Sequence, residues 1–468
     1  MVVKISWGLV IGLLGFFGML ALPAPAGMPD PAWKAAALVF LMATWWMTQA
    51  IPLTATALLP FVTLPFMDIL TAKEVAQEYY SPTLFLILGG AFIALAIERT
   101  GLHRRLALAI ISRAGKTTWG LLLAFMASSA ILSMIISNTS TTLIMVPIAV
   151  AVLAAGGVKL GETSGFAGAL VMGVAFASSI GGVGTIVGSP TNIIAADLIG
   201  KILNFEITFT TWAMYGLPIV IIGVPVCAAI LIHVQKVARD GFDVEVARKA
   251  IGEPGPWSIA EKRLMPLVLL VVIGWSTLQI IDDYLPAGSI KDGTIAILGG
   301  LALFIIPDGT GRPLLEWKEA DRAPWGVIMM FGGGLALAAG LIESGLTAWL
   351  GEALRPLQDV PVWIIAVALV ALVIVVTEFA SNVATASGIM PVVASLILAT
   401  GIDPVLLAMP AAVAASWGFM LPSGTGPNAI AWSTNHIALP KMLKSGLMLD
   451  LAGIPIIIGV IWMVAGLR

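Results

Sequence analysis

Two short polar blocks, Ser137-Asn138-Thr139 and Ser381-Asn382-Val383, interrupt long apolar runs in the two halves of a 468-residue chain. The runs have the length of membrane-crossing helices. They cover 5–22, 33–48, 54–67, 119–136, 143–155, 166–180 and 212–234 in the first half. In the second half they cover 264–281, 294–306, 362–380, 389–398, 405–420 and 447–466. Two further apolar segments, 84–97 and 327–341, carry paired glycines and are short for a span, and are read as re-entrant hairpins. The run at 5–22 follows Lys4 as a signal peptide would, but Pro23-Ala24-Pro25 is a poor cleavage sequence, so it is read as a retained first span. Residues 236–263 hold six basic and five acidic residues around Gly252-Glu253-Pro254-Gly255-Pro256. That composition marks a solvated cytoplasmic linker between an N-terminal half, 1–235, and a C-terminal half, 264–468.

The halves repeat one another. A shift of 244 positions brings Gly89-Gly90 onto Gly333-Gly334, Gly101-Leu102 onto Gly345-Leu346, and Ser133 onto Thr377. It also brings Ser137-Asn138 onto Ser381-Asn382, Thr141 onto Thr385 and Pro147 onto Pro391. A second shared block follows in each half, Gly188-Ser189-Pro190-Thr191-Asn192 and Gly424-Thr425-Gly426-Pro427-Asn428. Single matches of small residues are common in membrane helices, but motifs matched in order indicate duplication. After the first short segment come Arg99, Arg104, Arg105, Arg113 and Lys116, whereas after the second only Arg355 stands among Glu343, Glu352 and Asp359. By the positive-inside rule the two lie on opposite sides, the first cytoplasmic, which makes the repeat an inverted one.

Composition agrees with a multi-pass membrane protein. Hydrophobic residues make up 59% and charged residues 11%, against about 45–50% and 25% in soluble domains. The net charge of -2 lacks a basic cluster and gives no support for a nucleic-acid partner. Cys227 is the only cysteine, so no intramolecular disulfide forms. No Ser/His/Asp, zinc or phosphate-loop constellation falls in the apolar core, so an enzyme is not expected. A channel or proton antiporter would be expected to show a filter or paired intramembrane acids. Glu378, inside an apolar run, is a candidate proton carrier, but its counterpart under the 244-position shift is Met134, so it is read as a one-sided structural partner.

The polar blocks carry the chemistry. Ser133 and Ser137, like Thr377 and Ser381, are spaced i, i+4 and share one face at the end of a long helix. Irregular backbone at membrane depth is tolerated only where protein or a water-filled cavity satisfies it, so each block reads as half of a binding site. Hydroxyl, amide and freed carbonyl oxygens around a small gap suit Na+, a hard cation. Across 117–200 and 362–440 the only Lys or Arg is Lys159, in a polar loop. A dianion held there has no fixed cationic partner. Its charge must be met by helix amino termini, amide and hydroxyl donors, and bound cations.

With its paired Ser-Asn-Thr-like motifs, each followed by a Gly-x-x-x-Asn block, the chain resembles the divalent anion/sodium symporter family over nearly its whole length. The resemblance implies an all-α polytopic fold with an inverted repeat, two re-entrant hairpins and two interrupted helices. It implies an elevator-type homodimer in the inner (plasma) membrane. The expected activity is Na+-coupled symport of a C4-dicarboxylate such as succinate, malate or fumarate, with exchange, citrate or sulfate transport as the alternative. Ser133, Ser137, Asn138 and Gly188 would form a first Na+ site, and Thr377, Ala380, Asn382 and Gly424 a second. Asn138, Thr139, Ser189, Pro190, Asn382, Thr425 and Gly426 would face the anion. Val383 departs from the motif's Thr, and Gly426 stands where the first half has Pro190.

Overall fold

A computed structural model describes residues 7–115, 117–159, 161–237, 242, 245, 255–286 and 288–467. Apart from one isolated bridge between Pro307 and Pro313, its regular elements are helices. The first half runs α1 (Trp7–Ala21), α2 (Asp30–Thr48), α3 (Leu53–Thr56), α4 (Leu59–Phe66), α5 (Ala72–Glu78), α6 (Pro82–Thr100) and α7 (Leu102–Ile111). It continues with α8 (Thr118–Ser133), α9 (Asn138–Ala155), α10 (Phe166–Gly182), α11 (Pro190–Leu203) and α12 (Phe209–Gln235). The second half runs α13 (Ile259–Ser276), α14 (Leu278–Asp282), α15 (Asp292–Ile305), α16 (Trp317–Ala320), α17 (Trp325–Glu343) and α18 (Leu346–Leu354). It ends with α19 (Val362–Phe379), α20 (Asn382–Thr400), α21 (Pro404–Ala414), α22 (Gly426–Ser433) and α23 (Leu439–Ala465). Among the described residues, seven helices are long and apolar enough to cross a membrane.

The hairpins lie elsewhere than the sequence suggests. Segment 84–97 falls inside the unbroken α6, and 327–341 inside the unbroken α17. Their glycine pairs serve helix packing rather than a turn. A Cβ at Gly89 would lie 2.4 Å from the backbone of Ala296 on α15, and one at Gly333 would lie 2.2 Å from the Ala57 carbonyl oxygen. The reversals come at the polar blocks. Gly173 and Gly181 on α10 meet Leu122 and Ala130 on α8, so these two helices run in the same direction. Asn138 meets Gly182 at the far end of α10, while Gly156 and Phe166 both rest on Phe242. Hence α9 runs back along α10, and α8 and α9 form a hairpin with its tip at 134–137. In the second half the ends of α19 and α21 meet, with Thr377 Oγ1 donating to the Ala415 carbonyl at 2.8 Å. Only 401–403 join α20 to α21, so α19 and α20 double back at 380–381.

The centre of the molecule is α10, in which every residue is buried. Behind each tip a helix is broken rather than bent: α10 stops before α11 across 183–189, and α21 before α22 across 415–425. The breaks are held by indole donors, from Trp212 Nε1 to the Val183 carbonyl at 2.8 Å and from Trp417 Nε1 to the Leu449 carbonyl at 3.2 Å. Most of the predicted linker 236–263 lies outside the described residues. At its end, Ser258 and Glu261 cap α13 reciprocally, and Arg105 holds Glu261 at 2.8 Å together with the Gly255 and Pro256 carbonyls.

Candidate functional site

Four helices begin at one place. Ser137 caps α9 by accepting from the Ser140 amide at 3.2 Å, and Ser189 caps α11 by accepting from Thr191 at 3.3 Å. Ser381 caps α20 by accepting from Ala384 at 3.2 Å, and Thr425 caps α22 by accepting from Asn428 at 3.2 Å. Pro190 and Pro427, in the first turns of α11 and α22, have no N–H to leave unpaired. Each cap satisfies one of the orphan amides of its first turn; the rest, and the positive end of the helix dipole, point outward.

All four amino termini line one cavity of about 480 Å³. The seven residues expected to face an anion, Asn138, Thr139, Ser189, Pro190, Asn382, Thr425 and Gly426, all lie on its wall, and Val383 joins them. The halves cross at the site: α9 packs on α22 and α11 on α20. A Cβ at Gly426 would lie 2.5 Å from Thr139 Oγ1, so glycine is what lets the α22 start approach the first tip. Two charged side chains also line the cavity, Glu98 at the end of α6 and Arg322 in the turn before α17. They form an ion pair of 3.0 Å. Sequence reasoning missed both, because their only signal is a charge at the end of an apolar segment, far along the chain from either motif.

Behind the cavity, helix carboxyl ends gather oxygen atoms. One terminal atom of the Asn138 amide lies 2.6 Å from Ser133 Oγ, 3.2 Å from the Ser178 carbonyl oxygen and 3.3 Å from that of Gly188. With Nδ2 in that position its two N–H donors are shared among these three acceptors. With Oδ1 there, it accepts from the Ser133 hydroxyl and faces the Ser178 and Gly188 carbonyl oxygens, and a cation between these acceptors would make the arrangement favourable. The donor set is neutral and hard. In the second half Thr377 Oγ1 sits 2.9 Å from Asn382 Oδ1 while bonding Ala415, and a Cβ on Gly424 would lie 3.4 Å from the Glu378 carbonyl oxygen. Ser133, Thr377 and Ala380 therefore stand behind the cavity wall. The hydroxyl of Ser137 is spent on its cap and on Ser140 Oγ at 3.0 Å, and the Ala380 N–H on the Val376 carbonyl at 3.0 Å.

Glu378 is buried and accepts from the backbone amides of Met420 at 2.8 Å and Leu421 at 3.0 Å. It thereby holds the break between α21 and α22, with the buried Asp450 of α23 beside it. Asn192 and Asn428 do the same for their own blocks, the first donating to the Gly182 and Thr185 carbonyls at 2.7 and 2.9 Å, the second to Leu421 at 3.0 Å.

A bundle of apolar helices whose broken elements meet at one central cavity defines a polytopic membrane transporter. The chain matches the family described as the sodium:sulfate symporter transmembrane region over residues 3–467, and it belongs to that family. It is 38% identical over 470 residues to the sodium-dependent dicarboxylate transporter SdcS of Staphylococcus saprophyticus, covering 97% of this chain and 90% of that one. It is likewise 38% identical over 472 residues to the protein of the same name from Staphylococcus aureus strain USA300, covering 98% and 90%. Two solved structures share the fold. The YdaH transporter of Alcanivorax borkumensis superposes with a TM-score of 0.57 at 14% identity, over 94% of this chain and 99% of that one. MtrF of Neisseria gonorrhoeae gives 0.57 at 10% identity, over 92% and 95%.

Proposed function

We propose that the protein carries a C4-dicarboxylate such as succinate, malate or fumarate into the cell across the inner (plasma) membrane, driven by Na+. The convergence of four helix amino termini on one cavity carries this reading. Such termini are ready-made anion sites, and here two come from each half, so the two carboxylates of a short diacid can each meet a pair. Thr139 and Thr425 add hydroxyl donors at the wall, and the Asn138 and Asn382 amides stand between the anion and the oxygen clusters behind. Na+ in each cluster, one built on Ser133, Asn138 and Gly188 and one on Thr377, Asn382 and Gly424, offsets the anion's charge where Arg322 is the one Lys or Arg among the described lining residues. Cation and anion then bind cooperatively through the shared amides, and the coupling free energy acts in both directions.

The matched hairpins and broken helices support an inverted repeat whose central body moves against the remaining helices, as an elevator working within a homodimer. The test is uptake of labelled succinate into proteoliposomes. Replacing external Na+ by K+ should abolish uptake. Uptake that persists in K+ and depends instead on internal succinate would make the protein an exchanger, and stronger competition by sulfate or citrate than by malate would move the substrate class.

A further inference from the structure

The cavity has one fixed positive charge, and it stands at the rim. Among its described lining residues only Arg322 is a Lys or Arg, and only Glu98 is acidic. The backbone around Arg322 is anchored, since its N–H donates to the Glu319 carbonyl at 3.1 Å, Ala323 donates to Ala320 at 2.9 Å, and Trp325 Nε1 donates to Asp321 at 3.1 Å. The side chain itself is 63% exposed, and its partner Glu98 is 34% exposed. An ion pair that open to water is weakly held and easily exchanged. The neighbouring Arg99 is committed elsewhere, to Asp308, to Glu319 at 3.3 Å and to the Pro313 and Leu314 carbonyls, so it is not a substitute.

We propose that Arg322 is a receiving residue for the dicarboxylate. As the dianion crosses the rim, the guanidinium exchanges Glu98 for a substrate carboxylate, and Glu98 tempers that hold so the anion is not trapped. A planar guanidinium suits this exchange, because its fork of donors matches one carboxylate as well as another. With the arginine-bearing end of α6 in the cytoplasm, the rim is on the release side. The inference rests on the transport reading above and adds a residue that neither motif contains.

The two partners should act with opposite sign, which a merely structural latch would not produce. Succinate binding is measured on the purified full-length protein in saturating Na+, at low and at high choline chloride. Arg322→Gln should weaken binding about threefold at low salt and Glu98→Gln should tighten it about threefold, the size expected for one unit charge acting on a dianion across a watery gap. Both effects should fade at high salt, and Arg322→Lys should keep most of the wild-type affinity, while melting temperatures confirm that the variants are folded. Weakening by both neutral variants, or no change from Arg322→Gln, overturns the inference while leaving the transport reading in place. Wild-type protein that binds no succinate in Na+ overturns both.

Discussion

Replacing Gly182 by alanine adds one methyl group at the last residue of α10 and removes nothing. A Cβ built there lies 2.1 Å from Asn138 Oδ1 and 2.9 Å from its Cγ. Ordinary contact begins near 3.4 Å, so the amide must move by roughly 1 Å or more, on the scale at which displacing a positioned group costs about a hundredfold in rate. The fold should tolerate the change, because the group that yields is the end of a side chain, and the close approach of Gly181 to Ala130 is untouched. Binding should not tolerate it, since the amide that moves is the one facing Ser133, Ser178 and Gly188. Gly388 on α20 is the control, because a Cβ there meets nothing within 4 Å. We expect Gly182→Ala to lower Na+-driven succinate uptake by about tenfold to a hundredfold and to raise the Na+ concentration needed for half-maximal succinate binding, with a near wild-type melting temperature. Gly388→Ala should behave as wild type in both assays. Uptake by Gly182→Ala with unchanged Na+ dependence would refute the first cation cluster.

Asn138→Ala and Asn382→Ala should each abolish uptake in folded protein, because each amide is proposed to serve cation and anion together; near wild-type transport by either would reject the two-cluster reading. Val383→Thr adds a donor on the cavity wall in a side chain of nearly the same shape, and a net hydrogen bond of about 0.5–1.5 kcal/mol should shift relative affinities among succinate, citrate and sulfate by roughly threefold or more. The same change at Val376, off the cavity wall, should leave competition data alone. Gly181→Ala places a Cβ 2.3 Å from the Ala130 backbone and should destabilise the α8–α10 contact by about 1–3 kcal/mol, read as a lower melting temperature; an unchanged melt would mean that the two helices separate freely.

The cavity wall was legible because its residues break a strong background. Ser137, Asn138, Ser381 and Asn382 stand out as neutral polar groups ending apolar runs, and their repetition separates them from the many hydroxyls that only bond their own helix, such as Ser178 to the Val174 carbonyl at 2.8 Å. The hairpins were misplaced for a physical reason. Paired glycines in a short apolar segment fit a tight turn and close helix packing equally well, and at Gly89 and Gly333 packing against Ala296 and Ala57 is what uses them. The position of the reversal depends on which helices lie side by side, which no local pattern encodes. Arg322 was invisible for a related reason: its charge sits in a short polar connection, and only the fold carries that connection to the rim of the cavity.

Peptide groups do not titrate. Four helix ends therefore present the same field at pH 6 as at pH 8, and the response of that part of the wall to acidity lies in its cargo. A diacid that gains a proton arrives with half the charge and meets the same dipoles with half the attraction. The ionic form those dipoles hold best is then set by the solution outside, and in acid surroundings uptake would fall through the chemistry of the nutrient with no change in the four helix ends.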